Sequence, residues 1–197
     1  LPELHELPLK AARGQTTQLP APAGTSLRCA LSHRGYIAPA VHGEHCIGAT
    51  FAPGDGQRQL RDDDHRANLD ALAAALPAWR TALEALDART LAGRAEVRCV
   101  SPDYLPLVGP VPDTSAFREC FAALRSDASA VIDEHGPCVP GLFLSTGHGS
   151  RGLSYAALAG EVLAGHVCDE APPLPRQLQR ALSPARFTIR AMVRGRS

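Results

Sequence analysis

Gly147, Gly149 and Gly152 form a Gly-x-Gly-x-x-Gly spacing. It lies between an apolar run, Leu142-Phe143-Leu144-Ser145-Thr146, and an Ala/Leu-rich stretch from Leu153 to about Cys168. A strand that turns on glycines into a helix gathers unpaired backbone N–H groups and the positive end of a helix dipole. Glycine also lets a ligand approach that backbone closely. The spacing matches a dinucleotide-binding fingerprint, and Asp169-Glu170 supplies an acid about 20 residues on. That acid, however, precedes Ala171-Pro172-Pro173 instead of ending a second strand, and only 45 residues follow Gly152. A nucleotide fold opening there has no room for its later strands. A tight strand-to-helix connection with no ligand remains open.

Several other side chains are equipped for anion chemistry. Arg98 interrupts an apolar strand-like segment before a Pro-rich loop. A buried arginine needs a partner, either a ligand carboxylate or a structural acid such as Asp103. Arg151 adjoins the glycine turn, where its planar fork fits a carboxylate, or it is an exposed first-turn arginine. His148 lies inside the turn. Tyr36 and Tyr104 either line a cavity or fill core. From Ala171 onward the chain carries Arg176, Arg180, Arg186, Arg190, Arg194 and Arg196 and no acid. Such a run either meets phosphates or is a solvated tail. His33, His42, His45, His65 and His135 lack metal-ligand spacing, so no metal site is assigned.

The elements that must position these residues change character along the chain. Gln15-Thr16-Thr17-Gln18-Leu19, residues 26–31, residues 34–38 and residues 45–52 read as short strands of an antiparallel meander. Asp62-Asp63-Asp64 then opens a helix, with Leu69, Leu72, Ala73 and Leu76 at helical spacing and acids at its positive end. Pro77 ends it, and Trp79–Leu86 forms a second helical stretch. Residues 95–100 return to strand, 101–112 read as a Pro/Gly-rich loop, 115–126 as a short helix and 127–140 as a connection. The strand, turn and helix of residues 142–168 follow, closed by Pro172, Pro173 and Pro175. The expected fold is α+β, an antiparallel-rich mixed sheet with covering helices plus the late strand–glycine turn–helix unit.

Composition narrows the setting. Hydrophobic residues make up 45% and charged residues 20%, which suits a folded core rather than a disordered chain. Net charge is zero, so the whole chain does not advertise a polyanionic partner. The six cysteines are never closer than 17 residues, so they form no Cys-x-x-Cys pair, and they read as free thiols of a reducing cytoplasm. No apolar stretch approaches a membrane span. The first residue is not Met, and the chain is expected to begin mid-protein or after processing.

Three segments together resemble one family: Leu9-Lys10-Ala11-Ala12-Arg13-Gly14-Gln15, Val97-Arg98-Cys99-Val100-Ser101-Pro102-Asp103-Tyr104-Leu105-Pro106-Leu107-Val108-Gly109, and Gly147-His148-Gly149-Ser150-Arg151-Gly152-Leu153. In this order they are similar to the C-terminal part of D-amino-acid-oxidase-type flavoproteins. Gly35-Tyr36-Ile37-Ala38-Pro39, His45-Cys46-Ile47-Gly48-Ala49-Thr50-Phe51 and Leu182-Ser183-Pro184-Ala185-Arg186-Phe187 resemble, more narrowly, the oxidase half of MnmC-type bifunctional tRNA-modification enzymes. The resemblance implies FAD as cofactor. Arg13, Gly147, His148, Gly149, Ser150, Arg151, Gly152 and Leu153 would lie at the flavin, with the last helix aiming its dipole at the isoalloxazine ring. Arg98, Arg151 and Tyr104 would serve the substrate.

It also implies oxidative removal of the carboxymethyl group of 5-carboxymethylaminomethyl-(2-thio)uridine at the tRNA wobble position. SAM would be used only by a methyltransferase domain absent here. Residues 1–8 would end an FAD-binding portion, 9–126 form the substrate sheet, 127–170 the flavin-facing return, and 171–197 a basic tail. The first FAD-binding glycine motif of the family has no counterpart in this chain, which makes it a fragment on this reading. A small-molecule amine or amino-acid oxidase and a non-catalytic fragment stand as alternatives.

Overall fold

The computed structural model describes residues 2–21, 27–130, 136–171 and 173–195. His135, Pro172 and Arg196 lie outside them. The chain divides into two compact units, Ala11–Arg98, and Leu1–Lys10 together with Cys99–Ser197. Residues 99–126, expected with the sheet, therefore cluster with the C-terminal strand and helix.

The Ala11–Arg98 unit is built on β1 (Lys10–Pro20). Around it run β2 (Leu31–Ser32), β3 (Tyr36–Ile37), β4 (Glu44–Gly48) and β5 (Ala52–Pro53), in the order β2-β3-β4-β1-β5. The β1–β4 pairing is antiparallel with Thr16 opposite Gly48 and Leu19 opposite His45. The run expected over 45–52 breaks after Gly48, whose φ of +149° suits glycine. α1 (Asp62–Ala75) and α2 (Arg80–Glu84) cover the sheet. Leu69, Leu72 and Leu83 meet Leu19, Ile37 and Ile47 in the core. β6 (Gly93–Val100) pairs with β1.

Beneath α1 runs a buried polar line. The Arg13 guanidinium pairs with Asp64 and donates to the Gln15 amide oxygen at 2.7 Å and to the Gln59 carbonyl. His65 Nδ1 lies 2.8 Å from the Thr17 hydroxyl, and Asn68 donates to Thr17 Oγ1 and to the Gln15 carbonyl. Buried polar groups need such partners. These bonds tie α1 to β1 in one register.

In the other unit, the segment expected as a Pro-rich loop contains β7 (Leu107–Pro112). It pairs antiparallel with β8 (Cys138–Thr146), Leu107 opposite Thr146 and Pro110 opposite Phe143, with an irregularity between Pro110 and Pro112. α3 (Thr114–Cys120) is capped by the Asp113 carboxylate, which accepts from the Ala116 N–H. β8 runs through the glycine turn into α4 (Gly152–Cys168), which packs Ala159 and Val162 on Val108 of β7. Asp169, in the left-handed conformation, ends α4.

The C-terminal residues are folded rather than a solvated tail. α5 (Arg176–Leu182) and α6 (Arg186–Val193) return to the unit, where Met192 and Ile189 pack with Phe117 and Leu124. Arg186 is buried and donates to both Asp103 carboxylate oxygens, at 3.1 and 2.9 Å, and to the Leu105, Leu182 and Ser183 carbonyls. Arg190 adds a bond to Asp103 at 2.6 Å. Burial would raise the Asp103 carboxyl pKa, but hydrogen bonds from Arg186, Arg190 and Ser101 outweigh it and hold the group far below the usual carboxylate range. The fold as a whole is α+β with antiparallel sheets and covering helices, as expected from the sequence.

Candidate functional site

The glycine turn belongs to the unit of Cys99–Ser197. Gly147 and Gly149 have φ of +73° and +57°, conformations that L side chains rarely adopt. Both are also tightly placed: a Cβ at Gly147 would come 3.2 Å from Leu107 Cδ1, and one at Gly149 would come 3.4 Å from Val100 Cγ1. The Gly149 N–H donates to the Cys99 carbonyl at 3.1 Å, and His148 bridges Val100. The third glycine differs. Gly152 opens α4, and a Cβ there would meet only His148 Cβ, at 3.8 Å.

α4 receives no side-chain cap at its start, where Arg151 is the preceding residue. The Arg151 carbonyl accepts the N–H groups of Ser154 and Tyr155, while its guanidinium donates to the Tyr155 hydroxyl at 3.2 Å. Ser150, Arg151 and Leu153 are exposed around this helix start. His148 Nε2 lies 3.1 Å from the Ser145 hydroxyl, and its Nδ1 is buried without a partner among the described residues. A buried nitrogen without a partner carries a free-energy cost unless something outside the chain meets it. A turn with close backbone access, first-turn N–H groups, a dipole end and an unsatisfied imidazole fits the electron-rich edge of a flavin ring. These residues would hold that edge, and FAD would supply the hydride acceptor. Ser145 had no sequence signal, since its role depends on reaching His148 across the turn.

Tyr104 has φ of +58°, uncommon for an aromatic residue, and is about half exposed. Asp103, one candidate partner for Arg98, is engaged by Arg186 and Arg190. A cavity of about 910 Å³ in this unit is lined by Phe117, Leu124, Ile189 and Val193 together with Arg186, and none of the expected site residues except that of the basic segment faces it.

Arg98 belongs to the other unit, near the end of β6. Its guanidinium lies against β1: a Cβ at Gly14 would fall 1.9 Å from Arg98 Nη1 and 2.9 Å from the Thr50 carbonyl. Gly14 therefore makes room for the arginine. The Arg98 charge also reaches Tyr36, whose hydroxyl is 3.8 Å from Cys46 Sγ. Burial and Cys46 raise the Tyr36 pKa, and Arg98 partly opposes them. A half-buried cation beside a neutral phenol suits a carboxylate, which the fork can bind through both oxygens. Arg13 is corrected here. It is buried, and its guanidinium is committed to Asp64, Gln15 and Gln59 within the unit, so it is a structural residue.

A family model of FAD-dependent oxidoreductases matches residues 1–166. The chain belongs to the FAD-dependent oxidoreductase family. It is 45% identical over 195 residues to the tRNA 5-methylaminomethyl-2-thiouridine biosynthesis bifunctional protein MnmC of Pseudomonas putida, covering 97% of this chain and 30% of that protein. The corresponding protein of Chromohalobacter salexigens is 46% identical, covering 98% of this chain and 28% of that one. This oxidoreductase chain thus spans about 30% of the length of such relatives. In fold it is similar to glycine oxidase from Geobacillus kaustophilus, with a TM-score of 0.64 and 20% identity over 92% of this chain and 40% of that one. Iminodiacetate oxidase from Chelativorans sp. BNC1 gives 0.60 and 19%, covering 88% and 40%. Among the described residues no helix is long and apolar enough to cross a membrane, and no group of three or more His, Cys, Asp or Glu could hold a metal ion.

Proposed function

We propose that this chain supplies the substrate sheet and the flavin-facing turn of an FAD-dependent oxidase that acts on 5-carboxymethylaminomethyl-(2-thio)uridine at the wobble position of tRNA. The observation that carries the reading is the 45% identity to MnmC over 97% of the chain, whose printed role is biosynthesis of 5-methylaminomethyl-2-thiouridine. Oxidation of the amine's carboxymethyl carbon, followed by addition of water, releases glyoxylate and leaves the aminomethyl nucleoside.

Each set of residues has a task in that reaction. Arg98, with Tyr36 beside it, binds the carboxymethyl carboxylate and so fixes the carbon that is oxidised; orientation of this kind lowers the barrier. The turn of Gly147, His148, Gly149, Ser150 and Arg151, with Gly152 and Leu153 opening α4, holds the flavin edge. The helix dipole and N–H groups there stabilise negative charge. Arg151 and Tyr104 face the substrate as further contacts. The nucleotide half of FAD, and any SAM chemistry, belong on this reading to portions of the full-length protein outside this chain. Arg176, Arg180, Arg190 and Arg194 are exposed on α5 and α6 and approach tRNA phosphates. Arg186, being buried against Asp103, leaves that set, and Arg196 lies outside the described residues. The reading places the protein in the cytoplasm, where its six unpaired cysteines stay reduced.

The test is an activity comparison on the full-length protein. Modified tRNA is expected to yield glyoxylate and the aminomethyl nucleoside, with free glycine and sarcosine at least about 100-fold poorer in kcat/KM, since a site built around polar contacts discriminates strongly. Preference for the free amines would replace the tRNA reading with that of a small-molecule amine oxidase.

A further inference from the structure

α4 is apolar where a surface helix normally carries charge. Its inner side is Ala159, Val162 and Gly165. With about 100° between successive residues, Leu153, Ala156, Ala157, Gly160, Ala164 and Val167 fall on the opposite side. All six are exposed, Leu153 fully and Val167 to 60%. No charged residue lies in that sector, and Glu161 only borders it. The solvent side of an amphipathic helix is ordinarily polar.

Gly160 sharpens the point. It sits mid-helix, where glycine destabilises relative to alanine. A Cβ there would meet nothing within 4 Å, so no neighbour in this chain requires the missing side chain. At Gly109 the opposite holds, since φ is +132° and His166 lies 3.4 Å from the added carbon. A helical glycine facing open space on an uncharged surface is suited to close approach by a backbone from elsewhere.

We propose that this face of α4 is the seat of the FAD-binding portion of the full-length protein, an inference that rests on the function proposed above. The chain spans 30% of the Pseudomonas putida relative and 40% of the glycine oxidase, so most of such a protein lies outside these 197 residues. The face lacks the cations that a nucleic acid demands. It starts one residue past the glycine turn, so an element seated along it is continuous with the ligand edge of that turn.

The experiment compares Gly160→Leu and Gly160→Ala in the 197-residue chain and in the full-length protein, by thermal unfolding, light scattering and hydrogen exchange of α4 amides. In the short chain both variants should melt at or up to about 4 °C above the parent, because helix propensity improves and nothing is struck. In the full-length protein Gly160→Leu should melt at least about 5 °C lower and lose α4 protection, with Gly160→Ala between. Equal behaviour in both contexts overturns the proposal. So does destabilisation of the short chain, or a self-associated short chain that Gly160→Leu turns into a monomer, which would assign the face to a second copy. A native protein consisting of these 197 residues alone as a monomer also overturns it. None of these readouts depends on turnover. Loss of the oxidase reading shows instead as a full-length protein without flavin absorbance in which Gly160→Leu remains destabilising.

Discussion

Replacing Asp103 by Ala should release α6 from its unit. Arg186 is 4% exposed and donates to both Asp103 oxygens as well as to three backbone carbonyls. The substitution leaves a buried guanidinium without its counter-charge. Removing one partner of a fully buried pair costs about 3–5 kcal/mol. Asp103 is 21% exposed and the carbonyl acceptors persist, so the loss should be about 2–3 kcal/mol. Arg190, 45% exposed, adds less than about 1 kcal/mol to the pair. Native-state hydrogen exchange of the α6 amides at pH 7 should therefore accelerate about 30- to 150-fold. The Asp103 pKa is depressed in the folded state, so its contribution is present above the unfolded value near 3.8 and fades as pH falls through the lower folded value. The gap between parent and variant should be full at pH 7 and narrow below about pH 4. Acceleration under about threefold at pH 7, or a gap that stays constant in acid, would refute this account of the C-terminal helices.

Other expectations follow from the same geometry. Arg98→Ala in the full-length enzyme should raise KM about 10- to 100-fold, the scale of a charged hydrogen-bonded contact, and Lys should recover only part; unchanged KM would remove Arg98 from the substrate site. His65 is buried and its pKa is lowered by that burial, with Asp62 and Asp64 opposing. The unfolded chain then takes up a proton that the folded one refuses, so stability should fall as pH drops below about 6.5, by at most about 1.4 kcal/mol per unit, and urea titrations of His65→Gln should lose that dependence. Ala at Arg176, Arg180 and Arg194 together should weaken tRNA binding and flatten its log–log salt slope by about 2–3; an unchanged slope removes this surface from the tRNA interface.

The sequence made some of this legible and hid the rest for identifiable reasons. The β8–turn–α4 unit was readable because two of its glycines occupy left-handed backbone and its helix is long and apolar. α1 was readable because its acids, leucine spacing and following Pro77 all agree. β7 was hidden because Leu-Val-Gly-Pro-Val-Pro carries the punctuation of a loop. The strand survives because it pairs only with β8 and breaks register between its two prolines. The Arg186–Asp103 bonds join residues 83 apart, a separation no local pattern encodes, so a structural arginine looked like part of a solvated basic tail. Arg13 misled in the same way, since the family likeness placed it near the flavin whereas Asp64 and Gln59, about 50 residues on, take up its donors. Arg98 was picked out by its contrast with apolar neighbours, but only the structure reveals that Gly14 is the space it occupies.

The most direct measurement is product analysis of the full-length protein acting on tRNA that carries 5-carboxymethylaminomethyluridine. Glyoxylate and aminomethyluridine should appear in equal amounts, in parallel with bleaching of the flavin band, and Arg98→Ala should slow both together. Intact carboxymethylaminomethyluridine after incubation with flavin-loaded protein that readily oxidises glycine or sarcosine would contradict the account.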